Sequence, residues 1–250
     1  MGIGTILRVK SLFKNFGGIQ AITDLSFELT QSELLGLIGP NGSGKTTAVN
    51  LITGFVKPSR GEIVYRGRNI TGMAPYKIVR LGIARTFQMV KPFYQLPAYK
   101  NMIIPLYSPR VKRLAGGSYG DLDAVALDYL EEVGFERDSH VAYKSASVLP
   151  QGYLKRLELA KAIALKPDLL ILDELFSGLS LAEVASIIPI IEKLRAEGKT
   201  IIMIEHRLKE LFRIADRVVV LNYGQKIADG PADQAMRTAE VQKAYLGAEY

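Results

Sequence analysis

Positions Leu7, Val9, Ser11 and Phe13, apolar but for Ser11, follow the two-residue period of strands that bury one face, and Leu25, Phe27 and Leu29 repeat it. On this pattern Phe13 is expected in the core. A compact apolar run at 34–38 reads as a strand, and Gly39 opens a glycine-rich turn directly after it. A helix is expected from Lys45. Further strands are predicted at 62–65, 83–87, 169–172, 200–204 and 217–221, with helical spacing between two of them at 181–195. Strand and helix in alternation argue for an α/β sheet covered by helices.

Between about 94 and 148 the strand signals vanish, while Leu122, Val125, Leu127, Leu130 and Val133 fall at helical spacing. The stretch reads as an inserted helical subdomain, with an exposed loop at 107–120 around Gly116 and Gly117. Leu154, Leu157, Ala160 and Ala164 give the apolar face of a later helix.

A chain of 250 residues that is 48% hydrophobic can bury a sizeable core. No run of about eighteen apolar residues occurs, so no membrane-crossing helix is expected. Arg8 and Lys10 interrupt the apolar start, which is unlike a secretory signal, and Ile6 stands where an acylation motif beginning at Gly2 needs Ser or Thr. A cytoplasmic location is therefore expected. With no Cys there is neither a disulfide framework nor a thiolate metal site. The net charge of +7 is dispersed, densest at 110–113, and lacks interleaved aromatics, so no nucleic-acid partner is expected.

The chemistry begins at Gly39-Pro40-Asn41-Gly42-Ser43-Gly44-Lys45-Thr46, a G-x-x-x-x-G-K-T loop placed between an apolar strand and a helix start. Glycines let successive backbone N–H groups turn toward phosphate oxygens, and the helix N-terminus adds partial positive charge. Gly39, Asn41, Gly42, Ser43, Gly44, Lys45, Thr46 and Thr47 are the candidate nucleotide-binding residues. Lys45 is expected to bridge the β- and γ-phosphates, and the Thr46 hydroxyl to ligate Mg²⁺. Farther on, the apolar run at 169–172 ends in Asp173-Glu174, two carboxylates delivered to the carboxyl edge of a sheet. Asp173 suits the metal, and Glu174 suits polarising the water that attacks the γ-phosphate.

In order, these motifs resemble those of the ABC ATPases across nearly the whole chain. The resemblance implies a P-loop NTPase core with a mixed sheet, an N-terminal antiparallel β part and an inserted helical subdomain. It implies one domain, 1–250, with 1–93 and 166–250 as core and 94–165 as the subdomain carrying the signature loop. ATP and Mg²⁺ follow as ligands. Asp173-Glu174 looks like that family's Walker B, and the following Phe176-Ser177-Gly178-Leu179-Ser180 like its D-loop, with Leu175 where Pro is usual.

Further roles come from the resemblance alone. Gln88, in Arg85-Thr86-Phe87-Gln88, matches the Q-loop glutamine that completes the Mg²⁺ shell. His206 matches the switch histidine, which with Glu174 and Lys45 makes the catalytic set. Phe16 matches the aromatic that stacks on adenine. The signature, usually Leu-Ser-x-Gly-Gln, falls at Leu149-Pro150-Gln151-Gly152-Tyr153. Pro150 offers neither hydroxyl nor N–H, although proline suits the first turn of a helix. A nucleotide-binding regulatory subunit with a degenerate signature is therefore an alternative.

The segment Gly82-Ile83-Ala84-Arg85-Thr86-Phe87-Gln88 and the ending Ala244-Tyr245-Leu246-Gly247 resemble the branched-chain amino acid importer ATPases, in the larger of their two ATPase subunits; Asn101 lacks the usual Glu and Val neighbours. A lipid or lipopolysaccharide-export ATPase is the other alternative. The resemblance implies a second ABC ATPase subunit, identical or related, and membrane permease subunits docked at 88–102, where Phe93, Tyr94, Leu96 and Tyr99 cluster. It also implies an extracytoplasmic solute-binding protein and a place on the inner face of the membrane.

Overall fold

The computed structural model describes residues 4–114 and 120–246, which divide into two compact units. Residues up to 78 contain β1 (Thr5–Phe16), β2 (Ile19–Thr30), β3 (Leu34–Ile38), α1 (Lys45–Ile52), β4 (Arg60–Tyr65) and β5 (Arg68–Asn69). The chain passes into the second unit within α2 (Pro75–Leu81). There follow β6 (Ile83–Arg85), α3 (Ile103–Leu106), α4 (Pro109–Leu114), α5 (Leu122–Glu132), α6 (Gln151–Ala164), β7 (Leu169–Asp173) and α7 (Leu181–Ala196). From residue 198 the chain is again in the first unit, with β8 (Thr200–Ile204), α8 (Leu208–Ile214), β9 (Arg217–Asn222), β10 (Gln225–Gly230), α9 (Ala232–Ala235) and α10 (Ala239–Leu246).

The first unit holds an antiparallel sheet in the order β2-β1-β4-β5 and a second ladder in which β3 runs parallel to both β8 and β9, with β10 antiparallel to β9. Every residue of β3 and β8 is buried, as their unbroken apolar runs require. Helix α8 lies tightly on β3, so that a Cβ on Gly36 would stand 3.0 Å from Leu211 and Val218. In the second unit β6 pairs parallel with β7, and α5 and α6 supply the apolar surfaces around Leu130, Leu157 and Ala160. No helix among the described residues is long and apolar enough to cross a membrane.

Three expectations change. Phe13 is only partly buried, because β1 bulges: Ser11 takes φ 41°, the register shifts between Val9 and Leu12, and Leu12 turns inward instead. The predicted loop at 107–120 contains α4, anchored by buried Val111; its Gly116 and Gly117 lie outside the described residues. Arg110, within the stretch expected to be an exposed loop, is not exposed. It is buried, donating from Nε and Nη2 to Lys166 O at 3.1 and 2.9 Å and pairing with Asp168 Oδ2 at 2.8 Å, beside the C-terminal end of α6.

Candidate functional site

In the first unit the chain leaves β3 through a loop whose shape depends on two glycines. Gly39 has φ +149°, and a Cβ there would meet Leu221 O at 2.1 Å. Gly44 caps α1 with φ +103° and would collide with Ala21 O at 2.8 Å. No side chain caps α1, and N–H groups at such a helix start suit an anion. Lys45 is buried, its ammonium donating to Gly39 O at 2.8 Å and Pro40 O at 2.9 Å. Ser43 is also buried, with an Oγ that finds no hydrogen-bond partner. Asn41, Gly42 and Thr46 are exposed, and Thr47 is half-buried.

The loop is held from outside by Gly224 N–H donating to Ser43 O at 3.0 Å and Thr23 N–H donating to Gly224 O at 2.9 Å. Pro40 to Ser43, Asn222, Tyr223 and Lys243 of α10 border a cleft of about 710 Å³. Tyr245, from the C-terminal motif, stands by the same loop: burial pushes its phenol up to about 12, opposed by the Gly39 backbone. Phe16 is exposed at the tip of the β1–β2 hairpin with Lys14 Nζ 4.8 Å from its ring centre. His206 is exposed just after β8, next to buried Glu205.

The second unit gathers the other predicted residues. Asp173 ends β7, buried, with its Oδ2 2.6 Å from Arg85 Nη2 and its N–H donating to Thr86 Oγ1 at 3.2 Å. Glu174 follows with φ 51°, a left-handed conformation rarely tolerated outside glycine. Gln88 Nε2 donates to Glu174 Oε2 at 2.6 Å, which leaves the amide oxygen out of that bond. Leu175, in place of the usual proline, is buried.

The signature segment enters α6 at Pro150, which is the N-cap, one position ahead of the first turn where proline was expected. No side chain caps this helix. Leu149 and Gly152 are buried, and Pro150 and Gln151 are exposed. Tyr153 departs from the family's glutamine for a visible reason: its ring meets buried Phe135 edge-on, with centroids 5.0 Å apart.

Two residues to which the sequence assigns no role organise this unit. Lys155 of α6 is buried and donates to Gln88 O and Glu174 O, each at 3.0 Å. Asn101 is fully buried, accepting from Phe93 N–H at 2.7 Å and donating to Pro97 O at 3.0 Å, so it folds the segment 93–97. No periodicity marks either residue: a lysine in a helix reads as surface, and an isolated Asn as loop. In that segment Met89, Phe93, Tyr94 and Leu96 are exposed, whereas Tyr99 is half-buried against Tyr143 at 5.3 Å.

A strand running into a glycine loop with a buried lysine is the arrangement of the phosphate-loop nucleoside triphosphatases, and the solved structures this chain resembles are ATP-binding cassettes. A nucleotide-free ATP-binding cassette from an ABC transporter is 28% identical, with TM-score 0.86, 97% of this chain and 99% of that one being covered. A cassette in its ADP conformation is 29% identical, with TM-score 0.83 over 98% and 99% of the two chains. The ABC transporter family model matches residues 22–177, and the chain belongs to that family. More particularly, it is 35% identical to the high-affinity branched-chain amino acid transport ATP-binding proteins LivG of Escherichia coli and BraF of Pseudomonas aeruginosa. Both matches cover 97% of this chain and 98% of the relative.

Proposed function

We propose that this chain binds and hydrolyses ATP to drive a membrane transporter that imports branched-chain or related amino acids. The observation that carries the ATPase reading is the loop at Gly39 to Thr46, with its buried Lys45 and unpartnered Ser43 Oγ. The kind of solute follows from likeness over nearly the full length of LivG and BraF.

In this reading the Lys45 ammonium, donating to two loop carbonyls, exchanges those bonds for β- and γ-phosphate oxygens. Backbone N–H groups of the loop and the α1 N-terminus hold the phosphates. Phe16 stacks on the base, and His206 meets the γ-phosphate. Glu174 takes up proton density from the attacking water, with Gln88 Nε2 orienting its carboxylate. The donors proposed for Mg²⁺, the Thr46 hydroxyl, the Asp173 carboxylate and the Gln88 amide oxygen, are all hard oxygens of the type that ion prefers. Among the described residues no cluster of three or more His, Asp or Glu forms a dedicated cage, which suits an ion bound mainly through phosphates. When bound, the ion supplies neutralisation of charge on the β- and γ-oxygens.

Leu149, Pro150, Gln151 and Gly152 face the nucleotide of a second ATPase subunit, with the uncapped α6 N-terminus offering N–H groups where the usual serine is missing. That missing hydroxyl keeps the regulatory-subunit reading in view. The permease subunits dock on the segment 88–102, whose exposed Met89, Phe93, Tyr94 and Leu96 need a cover. A solute-binding protein completes the transporter, and the chain works at the inner face of the membrane as a single ATPase domain.

Two variants test the assignment by fluorescent-nucleotide titration and phosphate release. Lys45→Ala should weaken ATP binding by about 2 to 4 kcal/mol, roughly 30-fold or more, because a charge-assisted contact to phosphate is lost. Glu174→Gln should bind ATP like the parent and turn over at least about a hundredfold more slowly. Unaltered binding in the first variant, or unaltered turnover in the second, would refute the respective role.

A further inference from the structure

Among the buried polar side chains of the second unit, Lys155 touches both Gln88 and Glu174. It is 2% exposed and sits on the fifth residue of α6, the helix that starts with the signature loop. Its ammonium donates to Gln88 O and to Glu174 O, both at 3.0 Å. The side chains of those same two residues meet, Gln88 Nε2 to Glu174 Oε2, at 2.6 Å. One ammonium thus ties the backbones of a pair whose side chains are already joined.

We infer that Lys155 is a positioning residue, fixing the Glu174 and Gln88 backbones to α6 so that the signature helix sets where the Glu174 carboxylate stands. The inference rests on the reading of Glu174 as the group that activates water. Three observations support it. A buried ammonium is expensive unless hydrogen-bonded, so a lysine kept here serves its polar contacts, for which an apolar side chain of the same length would not substitute. Glu174 holds φ 51°, a strained conformation that persists only where neighbours over-determine it, and the Lys155 bond to its carbonyl is one such constraint alongside Ser177 N–H at 3.2 Å. Both accepting carbonyls lie within reach of a single Nζ, so a shift of α6 by about 1 Å away from them would take both bonds past useful length. Displacement of a catalytic group by such a distance can cost about a hundredfold in rate.

The consequence is a mechanical link within one subunit. Occupation of the signature loop by a partner's nucleotide pulls on α6, and Lys155 passes that movement to Gln88 and Glu174. Neither Asp173 nor the phosphate loop takes part in these two bonds.

The test uses the full chain and the variants Lys155→Met, Lys155→Arg and Glu174→Gln. Lys155→Met should lower kcat about 10- to 100-fold while the dissociation constant for ATP stays within about twofold. Lys155→Arg, which keeps two donors in reach, should restore turnover to within about threefold of the parent. Amide exchange in Lys155→Met should quicken at 88–89 and 174–177 and remain as in the parent on β3 and β8. A full-rate Lys155→Met alongside an inactive Glu174→Gln overturns the positioning role alone. A full-rate Glu174→Gln overturns the assignment of the base, and the inference with it. Should Lys155→Met not fold, an inactive but folded Lys155→Arg is the contrary result.

Discussion

Pro150 replaces a serine hydroxyl with a ring that can neither donate nor accept. As the N-cap of α6 it leaves the first N–H groups of the helix without a side-chain acceptor, which is the state suited to an incoming phosphate. Pro150→Ser adds a donor to a charged group, worth about 1.5 to 3 kcal/mol. In the Glu174→Gln background, where turnover is blocked, the account expects ATP-driven dimerisation to tighten about tenfold or more, read by light scattering with ATP present. Equal dimer fractions with and without the Pro150→Ser change would show that this hydroxyl carries no weight here. The loop from Gly39 to Thr46, between β3 and α1, was legible in the sequence because its motif states its own geometry. The roles of Lys155 and Tyr153 were not, since each acts through a neighbour far along the chain: two carbonyls 67 and 19 residues away for Lys155, and Phe135 for Tyr153.

At the scale of elements, strands with long apolar runs were legible to within a residue or two: β8 stands at Thr200–Ile204 and β7 at Leu169–Asp173. Strand β10 was missed, since Gln225–Gly230 has no apolar alternation and forms as the hairpin partner of β9. The bulge at Ser11 broke an apparent alternation for the same reason, pairing with β2 overriding local pattern. Side-chain bonds then lock elements of the first unit together. Arg217 at the start of β9 donates from Nε to Glu33 at 2.7 Å and from Nη2 to Glu28 O at 2.6 Å, and its Nη1 pairs with Asp229 of β10.

Burial pushes the Glu33 carboxyl up, but hydrogen bonds from Arg217 and from the Thr30 N–H and hydroxyl outweigh it and hold the group below its ordinary 4.5. A carboxyl lowered on folding contributes stability that is present above its unfolded value and lost as pH falls through its folded value. Stability should therefore decline as the pH drops below about 4.5. In Arg217→Met it should fall by about 1 to 3 kcal/mol at pH 7, with a shallower acid decline, by urea unfolding at pH 7 and at lower pH. An acid decline as steep as the parent's would assign the effect to other carboxylates.

Across the whole molecule the proposed chemistry is divided between the two units. Phe16, the phosphate loop and His206 belong to the first, and Gln88, the signature segment and Asp173-Glu174 to the second. The family was legible because these motifs keep a fixed order along the chain, whatever the spacing between them. The interior of the helical segment was less so, because its turns hang on Asn101 and Arg110, whose buried bonds to backbone carbonyls no hydrophobic pattern announces. In the proposed function this chain is a motor whose hydrolysis requires two subunits. Steady-state MgATP hydrolysis, followed over a range of concentrations of the purified chain with Glu174→Gln beside it, tests this requirement. The rate should rise faster than linearly with protein and vanish in the variant; a strictly linear rate, or one that survives in Glu174→Gln, would contradict a two-subunit motor.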